Sequence, residues 1–170
     1  DNELFLMELD RNSGATNWVT TAGGIGNDDG GPVAIDSMGN IWQAGTTTGT
    51  FSVNGMTHQA VSNADTILVK WSPSGVAQSV IGFSSSASEI NLPEDMIVTS
   101  NDDVVVSGVF LGSMNAGNQN TLTDRGNGDA YVVKVLKSGI TDWATSAGSS
   151  ANTERAYSIA ETPNGDLIAG

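Results

Sequence analysis

The sequence repeats itself with a period near 63 residues, and this repeat constrains the fold more than any single motif. One recurring segment occupies residues 39–42, 102–105 and 165–168, and a second occupies residues 3–9, 65–71 and 129–135. A unit that cannot bury its apolar face alone has to stack on a neighbouring copy. We therefore predict a single repeat region over residues 1–170, with units at approximately 1–63, 64–127 and 128–170.

The charge and the cysteine content exclude several classes of function. The formal net charge is -13, from 19 acidic and 6 basic residues. A surface of this sign repels phosphate backbones and anionic lipid, so we expect no nucleic-acid partner. No cysteine is present, which excludes disulfides, thiol chemistry and cysteine-based zinc sites. No apolar run approaches the length of a membrane span, and we expect no membrane insertion.

Each unit contains four short candidate strands, rich in β-branched and aromatic residues and bounded by Gly, Asn, Asp or Ser. The predicted strands are 4–9, 17–21, 33–36 and 41–45, then 66–71, 77–82, 96–99 and 104–108, then 130–136, 142–147, 158–162 and 167–170. Hairpin turns are predicted at 37–40, 101–103 and 163–166, where residues that tolerate positive φ are concentrated. The fold class is therefore all-β, and four-stranded antiparallel units that repeat radially form a β-propeller.

The same residues resemble a known family, the bacterial secreted β-propeller repeat called SBBP. The resemblance is carried by residues 129–139 with Trp143, and by residues 26–28 followed by 33–42. It covers essentially the whole chain, although Ser79 stands where the other units have Trp18 and Trp143. It implies an extracellular or cell-surface bacterial protein, and we expect the secretion signal to lie outside this stretch. The family signature is specific for the fold and says little about activity.

The order of strands predicts how a propeller would be closed. Residues 33–40 and 41–45 resemble the innermost and second strands of a blade, so the chain opens with two outer strands and closes with two inner ones. About three blade-equivalents are present, whereas propellers typically carry about four to eight. We therefore expect these residues to be part of a larger ring, completed by further blades of the same chain or by other copies.

Long and short connections alternate strictly along the chain, which predicts a binding face. Alternate connections of an antiparallel meander leave from the same end. The long connections are 22–32, 46–63, 83–93, 109–127 and 148–157. We expect them to decorate one face, where a protein or a glycan would bind.

Two sets of oxygen-bearing side chains are candidate cation or ligand sites. The first comprises acidic residues that precede the inner strands, and its members are Asp28, Asp29, Glu94, Asp95 and Glu154. They could line the mouth of a central channel, or they could simply solvate loop ends. The second is Asp10 and Asn12 with Gly14, which has the alternating oxygens of a calcium loop but no downstream bidentate Glu, so a plain hairpin turn is the alternative. We expect no cofactor other than calcium.

The aromatic residues are predicted to pack rather than to bind ligands. Trp18 and Trp143 follow Gly14 and Gly139 by four residues, a spacing that resembles the tryptophan-docking motif of quinoprotein propellers. Both are expected to be buried between sheets, and Trp42 and Trp71 receive the same interpretation. Loop anchoring is predicted for Phe51, Phe83, Phe110, Met114 and His58. His58 is the only histidine and has no partner repeated in the other units, which argues against an acid-base assembly.

Three classes of function are compatible with these residues. A non-catalytic module for binding or structural assembly ranks first, because what recurs is structural. A polysaccharide hydrolase or lyase ranks second, since paired carboxylates such as Glu94 and Glu154 can perform glycoside chemistry. A quinone-dependent dehydrogenase ranks third.

Overall fold

A computed structural model describes residues 2–86 and 89–170 as an all-β structure. Residue 1, and residues 87 and 88 of the predicted connection 83–93, lie outside the described residues. The strands are β1 (Leu4–Leu9), β2 (Thr16–Ala22), β3 (Asp28–Ile35), β4 (Ile41–Thr47), β5 (Thr50–Val53), β6 (Met56–Gln59), β7 (Asp65–Trp71), β8 (Ala77–Ser85), β9 (Asn91–Val98), β10 (Val104–Phe110), β11 (Ser113–Asn115), β12 (Thr121–Thr123), β13 (Asp129–Val135), β14 (Thr141–Ala147), β15 (Ile159–Glu161) and β16 (Leu167–Ala169). Within the described ranges, no helix is long and apolar enough to cross a membrane.

Two four-stranded antiparallel meanders form the body of the molecule. Sheet A has the order β3-β4-β7-β8 and is continued beyond β8 by β11 and β12, and sheet B has the order β9-β10-β13-β14. A leading pair, β1-β2, precedes them, and a terminal pair, β15-β16, follows them. Each complete sheet thus begins with a strand predicted to be innermost, and the predicted pairing order is confirmed. No closed ring is formed by the described residues.

Hairpin turns end the strands where the sequence predicts them. Gly39, Asp102 and Gly165 have φ of 80°, 66° and 87°, in the left-handed region. Glycine adopts this conformation without steric cost, and aspartate tolerates it. The three turns join β3 to β4, β9 to β10 and β15 to β16, so the same turn chemistry closes the same hairpin in each unit.

Two short hairpins inside the long connections were not predicted. The β5-β6 hairpin lies within residues 46–63, and the β11-β12 hairpin lies within residues 109–127. Phe51 and Met114 anchor them with fully buried side chains. Each hairpin attaches to the sheet that precedes its own, because β11 pairs with β8 and a bridge joins Ile25 to Thr50. The long connections are therefore structural ties between neighbouring sheets.

The core consists of two apolar layers between successive sheets. Alternate residues of β7 point to opposite faces, so Ile67, Val69 and Trp71 pack with Leu4 and Leu6 of the leading pair. Between sheets A and B, a second cluster is built from Trp42, Leu68, Phe83, Tyr131, Val133 and neighbouring residues. Burial of apolar area at about 25 cal/mol per Å² makes these layers the main stabilising contribution. Each sheet is thus packed against the next at both interfaces.

The burial of the tryptophans differs from the prediction. Trp42 and Trp71 are fully buried, as expected. Trp18 and Trp143 are only half-buried, so the prediction that both are enclosed between sheets is wrong. Trp18 Nε1 donates a hydrogen bond to Glu8 Oε2 of the paired strand, which keeps one edge of the indole at the surface.

The half-buried Trp18 docks on the outer hairpin of the next sheet. An added Cβ at Gly75, in the turn between β7 and β8, would lie 2.8 Å from Trp18. The next interface repeats this arrangement with a different side chain, since an added Cβ at Gly139 would lie 3.6 Å from Ile81. Ile81 therefore takes the docking role that Ser79 cannot perform in the second unit.

We expect Gly75→Ala to destabilise the protein by about 1 to 3 kcal/mol more than Gly55→Ala. The two glycines have nearly the same φ, 75° and 76°, so the backbone strain of an alanine is matched. An added Cβ at Gly55 meets nothing within 4 Å, whereas at Gly75 it collides with Trp18. Urea denaturation of both variants measures the difference. Equal destabilisation would show that the Trp18 contact is too loose to join the sheets.

Candidate functional site

The long connections gather at one edge of the molecule, here called the long-connection edge. Hydrogen bonds link different connections there: Thr48 N donates to Asn27 O, Ser86 N to Ser113 O, and Thr153 Oγ1 to Asn127 O. The short turns meet at the opposite edge. The tips of the two hairpins nevertheless extend to the opposite edge, because Asn54 Nδ2 donates to Ala77 O and Asn118 Nδ2 donates to Thr141 O, beside the short turns. The predicted separation of long and short connections therefore applies to the ends of the long connections and not to the hairpin tips.

The predicted acidic residues lie at this edge or near it, and most of them are engaged by hydrogen bonds. Asp29 Oδ1 accepts from Asn2 Nδ2 at 3.2 Å. Glu94 Oε1 forms an ion pair with Arg155 Nη1 at 2.8 Å. Glu154 accepts from the backbone and side chain of Ser149, at 3.0 and 2.7 Å. These side chains hold connections in place, which leaves few of their oxygens free for a ligand.

Asp28 has a different environment because its side chain is fully buried. Its Oδ2 accepts from Gly24 N at 2.8 Å, and its Oδ1 has no hydrogen-bond partner. Asn91 begins β9 as Asp28 begins β3, and its side chain bonds to Thr66 N and Phe83 O. Asn91 therefore fastens the start of β9 to β7 and β8 of the preceding sheet, whereas the bond from Gly24 holds Asp28 to its own connection.

A buried carboxylate at the start of the third strand recurs in sheets A and B. Asp65 begins β7 with no exposed surface, and its Oδ2 lies 3.0 Å from His58 Nε2. Asp129 begins β13, equally buried, and Arg125 Nη1 lies 3.4 Å from it. The prediction that the partner of His58 does not recur is wrong, because a basic side chain, His58 or Arg125, contacts the equivalent carboxylate in both units. The predicted anchoring role of His58 is confirmed.

The hydrogen bonds around Asp65 decide its protonation. Burial raises the pKa of this carboxyl, but bonds from His58, Ser62 and the backbone of Val61 and Ser85 together outweigh it and hold the pKa below the ordinary value. Asp65 is thus a carboxylate that gathers β6, the following connection and the end of β8 around one point.

Asp10 and Asn12 occupy a tight turn between β1 and β2. Asp10 Oδ1 accepts from the backbone of Asn12 and from both the backbone and side chain of Ser13, at 2.8 to 3.0 Å. The Ser13 hydroxyl, followed by these backbone groups, lowers the pKa of Asp10. This is the geometry of an Asx turn, in which a side chain closes the loop. Among the described residues, no group of three or more His, Asp or Glu is placed to hold a metal ion.

The opposite edge carries a recurring tie that the sequence did not reveal. Ser37 donates its backbone N–H and hydroxyl to the two oxygens of Asp102, at 2.8 and 2.7 Å. Ser100 donates in the same way to Glu161, at 2.7 and 2.9 Å. Each tie joins the inner turn of one unit to the inner hairpin of the next. Glu161, which breaks the apolar pattern of its strand, therefore has a structural role in place of core packing.

No protein-family model matches the chain, and no curated protein matches it significantly. The resemblance to the SBBP repeat therefore stays a prediction from the residues.

Proposed function

We propose that the chain is a non-catalytic module of the β-propeller type, extracellular or attached to the cell surface. In this proposal a protein or a glycan binds at the long-connection edge, and further blades or other copies extend the array. The main observation in support is that the acidic side chains which could perform chemistry are engaged in ties within the fold. A hydrogen bond or ion pair that recurs from unit to unit stabilises the fold, whereas a catalytic centre needs one unique group of residues with free reactive atoms.

The edge is suited to binding because its loops are held in place. Both hairpins are anchored by buried side chains, β11 pairs with β8 of the preceding sheet, and a bridge joins Thr50 of β5 to Ile25, so little conformational entropy would be lost when a ligand binds. Large apolar side chains nevertheless remain exposed on the connections, with Ile25 at 77%, Val61 at 59% and Tyr157 at 65%. An exposed tyrosine offers both a stacking face and a hydroxyl, which is favourable for contact with a sugar ring or a peptide.

The hydrolase or lyase alternative gains no support from the geometry. Glu94 is paired with Arg155, and Glu154 is bonded to Ser149, so neither is poised as a free acid or base. We also find no observation that favours quinone-dependent chemistry among the described residues.

Binding can be tested with immobilised neutral and acidic polysaccharides and with a panel of surface-protein ectodomains. We expect Tyr157→Ala to weaken binding on the order of tenfold, as is common for an exposed aromatic contact. Met38→Ala is the matched control, because Met38 is 78% exposed but lies in a turn of the opposite edge. An equal loss in the control would place the ligand elsewhere. Release of reducing ends from any polysaccharide, abolished by Glu94→Gln or Glu154→Gln, would overturn the non-catalytic assignment.

We expect a calcium chelator to leave the melting temperature unchanged. The Asp10 oxygen that would coordinate calcium already accepts hydrogen bonds from the turn. A cation bound only to the folded state would raise the melting temperature by mass action, and excess chelator would reverse this. Differential scanning calorimetry with excess EDTA, and then with calcium restored, makes the measurement. A calcium-dependent shift that Asp10→Asn removes would identify this turn as the site.

A further inference from the structure

The first interface, between the leading pair and sheet A, differs from the second, between sheets A and B, beside the hairpin tips. At the first interface, Asn54 Nδ2 donates to Ala77 O at 3.1 Å. At the second, Asn118 Nδ2 donates to Thr141 O at 2.8 Å, so Ala77 and Thr141 are equivalent residues. Thr141 Oγ1 also donates to Ala116 O in the β11-β12 hairpin. Ala77 has no hydroxyl, and the first interface therefore lacks this hydrogen bond.

A cavity of about 310 Å³ lies at this point of the first interface. It is bounded by β2, the tip of the β5-β6 hairpin and the turn that joins β7 to β8, and its lining includes Thr20, Thr21, Asn54, Trp71 and Ala77. β2 is the outer strand of the leading pair. A strand added to the other side of the pair, beside β1, would therefore leave the cavity open.

The lining of this cavity is neutral although the protein is strongly acidic. None of its eight residues, all within the described part of the chain, is charged. A carboxylate or phosphate ligand would find no cation among them. The hydroxyls of Thr20 and Thr21 and the amide of Asn54 offer hydrogen bonds, while Val53 and Val76 offer apolar contact. The volume is at the lower end of the about 300 to 1,000 Å³ typical of ligand pockets, which indicates a small uncharged ligand.

Trp71 supplies an unpaired hydrogen-bond donor beside the cavity. Its side chain is fully buried, and its Nε1 has no hydrogen-bond partner among the described residues. Trp71 lies opposite Ala77 in sheet A. Val135 lies opposite Thr141 in sheet B and is therefore the equivalent residue, with no polar atom in its side chain. A buried donor without a partner is unfavourable, and an acceptor oxygen held in the cavity would satisfy it.

We propose that this cavity binds one residue of a neutral sugar. A hydroxyl oxygen of the sugar accepts from Trp71 Nε1, and other hydroxyls pair with Thr20 and Thr21. The apolar face of the ring contacts Val53 and Val76. The tryptophan in place of valine supplies the donor, and the alanine in place of threonine supplies the space, at the same interface.

The proposed sugar site lies apart from the long-connection edge, because it adjoins the turn between β7 and β8. It therefore does not depend on which ligand that edge binds. The two changes from the repeat also distinguish it from the contacts that recur in every unit.

The first experiment is NMR spectroscopy of the full chain. The four tryptophan indole N–H peaks are assigned by replacing each tryptophan with phenylalanine. The probes are methyl glucoside, methyl galactoside and methyl N-acetylglucosaminide, and we expect at least one of them to shift the Trp71 peak saturably. Trp42 Nε1 is also buried without a partner, but Trp42 does not line the cavity, so its peak should not move. Methyl glucuronide, which adds a carboxylate to glucose, should bind about tenfold more weakly or less than that.

Three results of this titration would overturn the proposal. One is a Trp71 peak that none of the neutral sugars moves, and another is equal affinity for the glucuronide and the glucoside. The third is a shift caused by a blocked triglycine peptide and by none of the sugars, which would assign the cavity to peptide ligands.

The second experiment exchanges the equivalent residues. Ala77→Thr introduces the side chain that the second interface accommodates, so we expect it to fold and, by occupying the cavity, to weaken sugar binding about tenfold or more. Thr20→Val removes a lining hydroxyl at nearly constant volume and should weaken binding about threefold or more. Thr141→Ala makes the reverse exchange at the other interface, and Tyr157→Ala changes the long-connection edge, so both should bind the sugar as the natural chain does. Unchanged affinity in both Ala77→Thr and Thr20→Val, or an equal loss in either control, would overturn the assignment.

Discussion

Replacement of Trp71 by alanine is expected to lower the free energy of unfolding by about 3 to 5 kcal/mol, the range for large aromatic side chains in cores. Trp71 is fully buried in the cluster that joins the leading pair to sheet A. Removal of the indole would leave a cavity between two sheets that contact each other mainly through this layer. Urea denaturation followed by intrinsic fluorescence of the remaining tryptophans measures the change.

Two control variants separate packing from other effects. Trp71→Phe should cost less, because it leaves a smaller void and also removes the indole N–H, which is buried without a hydrogen-bond partner. Trp18→Ala should cost less than Trp71→Ala, since Trp18 is half-exposed. If Trp18→Ala lowered the free energy of unfolding more than Trp71→Ala does, the contact of Trp18 with Gly75 would contribute more to the interface between the sheets than the apolar layer does.

Replacement of Asp65 by alanine is expected to lower the free energy of unfolding by about 3 kcal/mol. The groups that donate to Asp65 would stay buried, and without their acceptor they would lose hydrogen bonds that water cannot replace. Its oxygens accept from Val61 N, Ser62 Oγ and Ser85 N in addition to the contact with His58. Asp142→Ala is the control, since Asp142 pairs with Lys134 at the surface and should cost at most about 1 kcal/mol. Equal effects would show that the Asp65 bonds contribute little to stability.

The Asp65 variant should also change the response to acid. The folded pKa of Asp65 lies below the ordinary value of 3.8, so its stabilisation is present above that value and is lost as the pH falls through the folded pKa. The melting temperature of the natural chain should therefore decline between about pH 5 and pH 3, and the decline should be shallower in Asp65→Ala. An unchanged slope would mean that other carboxylates dominate the acid response.

The strands and their order could be predicted because their signals are local. Alternation of apolar and polar residues in segments such as 65–71 specifies which side chains share a face, and Gly39 or Gly165 ends a strand through its own backbone freedom. The repeat adds information from three copies of each pattern. It therefore predicted that β3, β4, β7 and β8 belong to one sheet, in that order.

The site could be predicted only in part. The gathering of long connections at one edge follows from antiparallel geometry, so the position of the candidate face was predictable. The roles of individual residues were not, because they depend on neighbours from other units. Glu154 was named as a possible ligand group and instead holds Ser149. Glu161 was not named as a candidate, and its bonds to Ser100 depend on a turn 61 residues earlier in the chain.

The sequence by itself determined that the chain is all-β, where its main strands lie and which edge carries the long connections, since these depend on residues close together in the chain. Only the tertiary structure decided that hairpins within those connections pair with the preceding sheet, that Ile81 replaces a tryptophan against Gly139, and that His58 and Arg125 serve equivalent carboxylates. These contacts join residues whose individual patterns are weak. They form because stacking of the sheets brings them together after the local structure is in place.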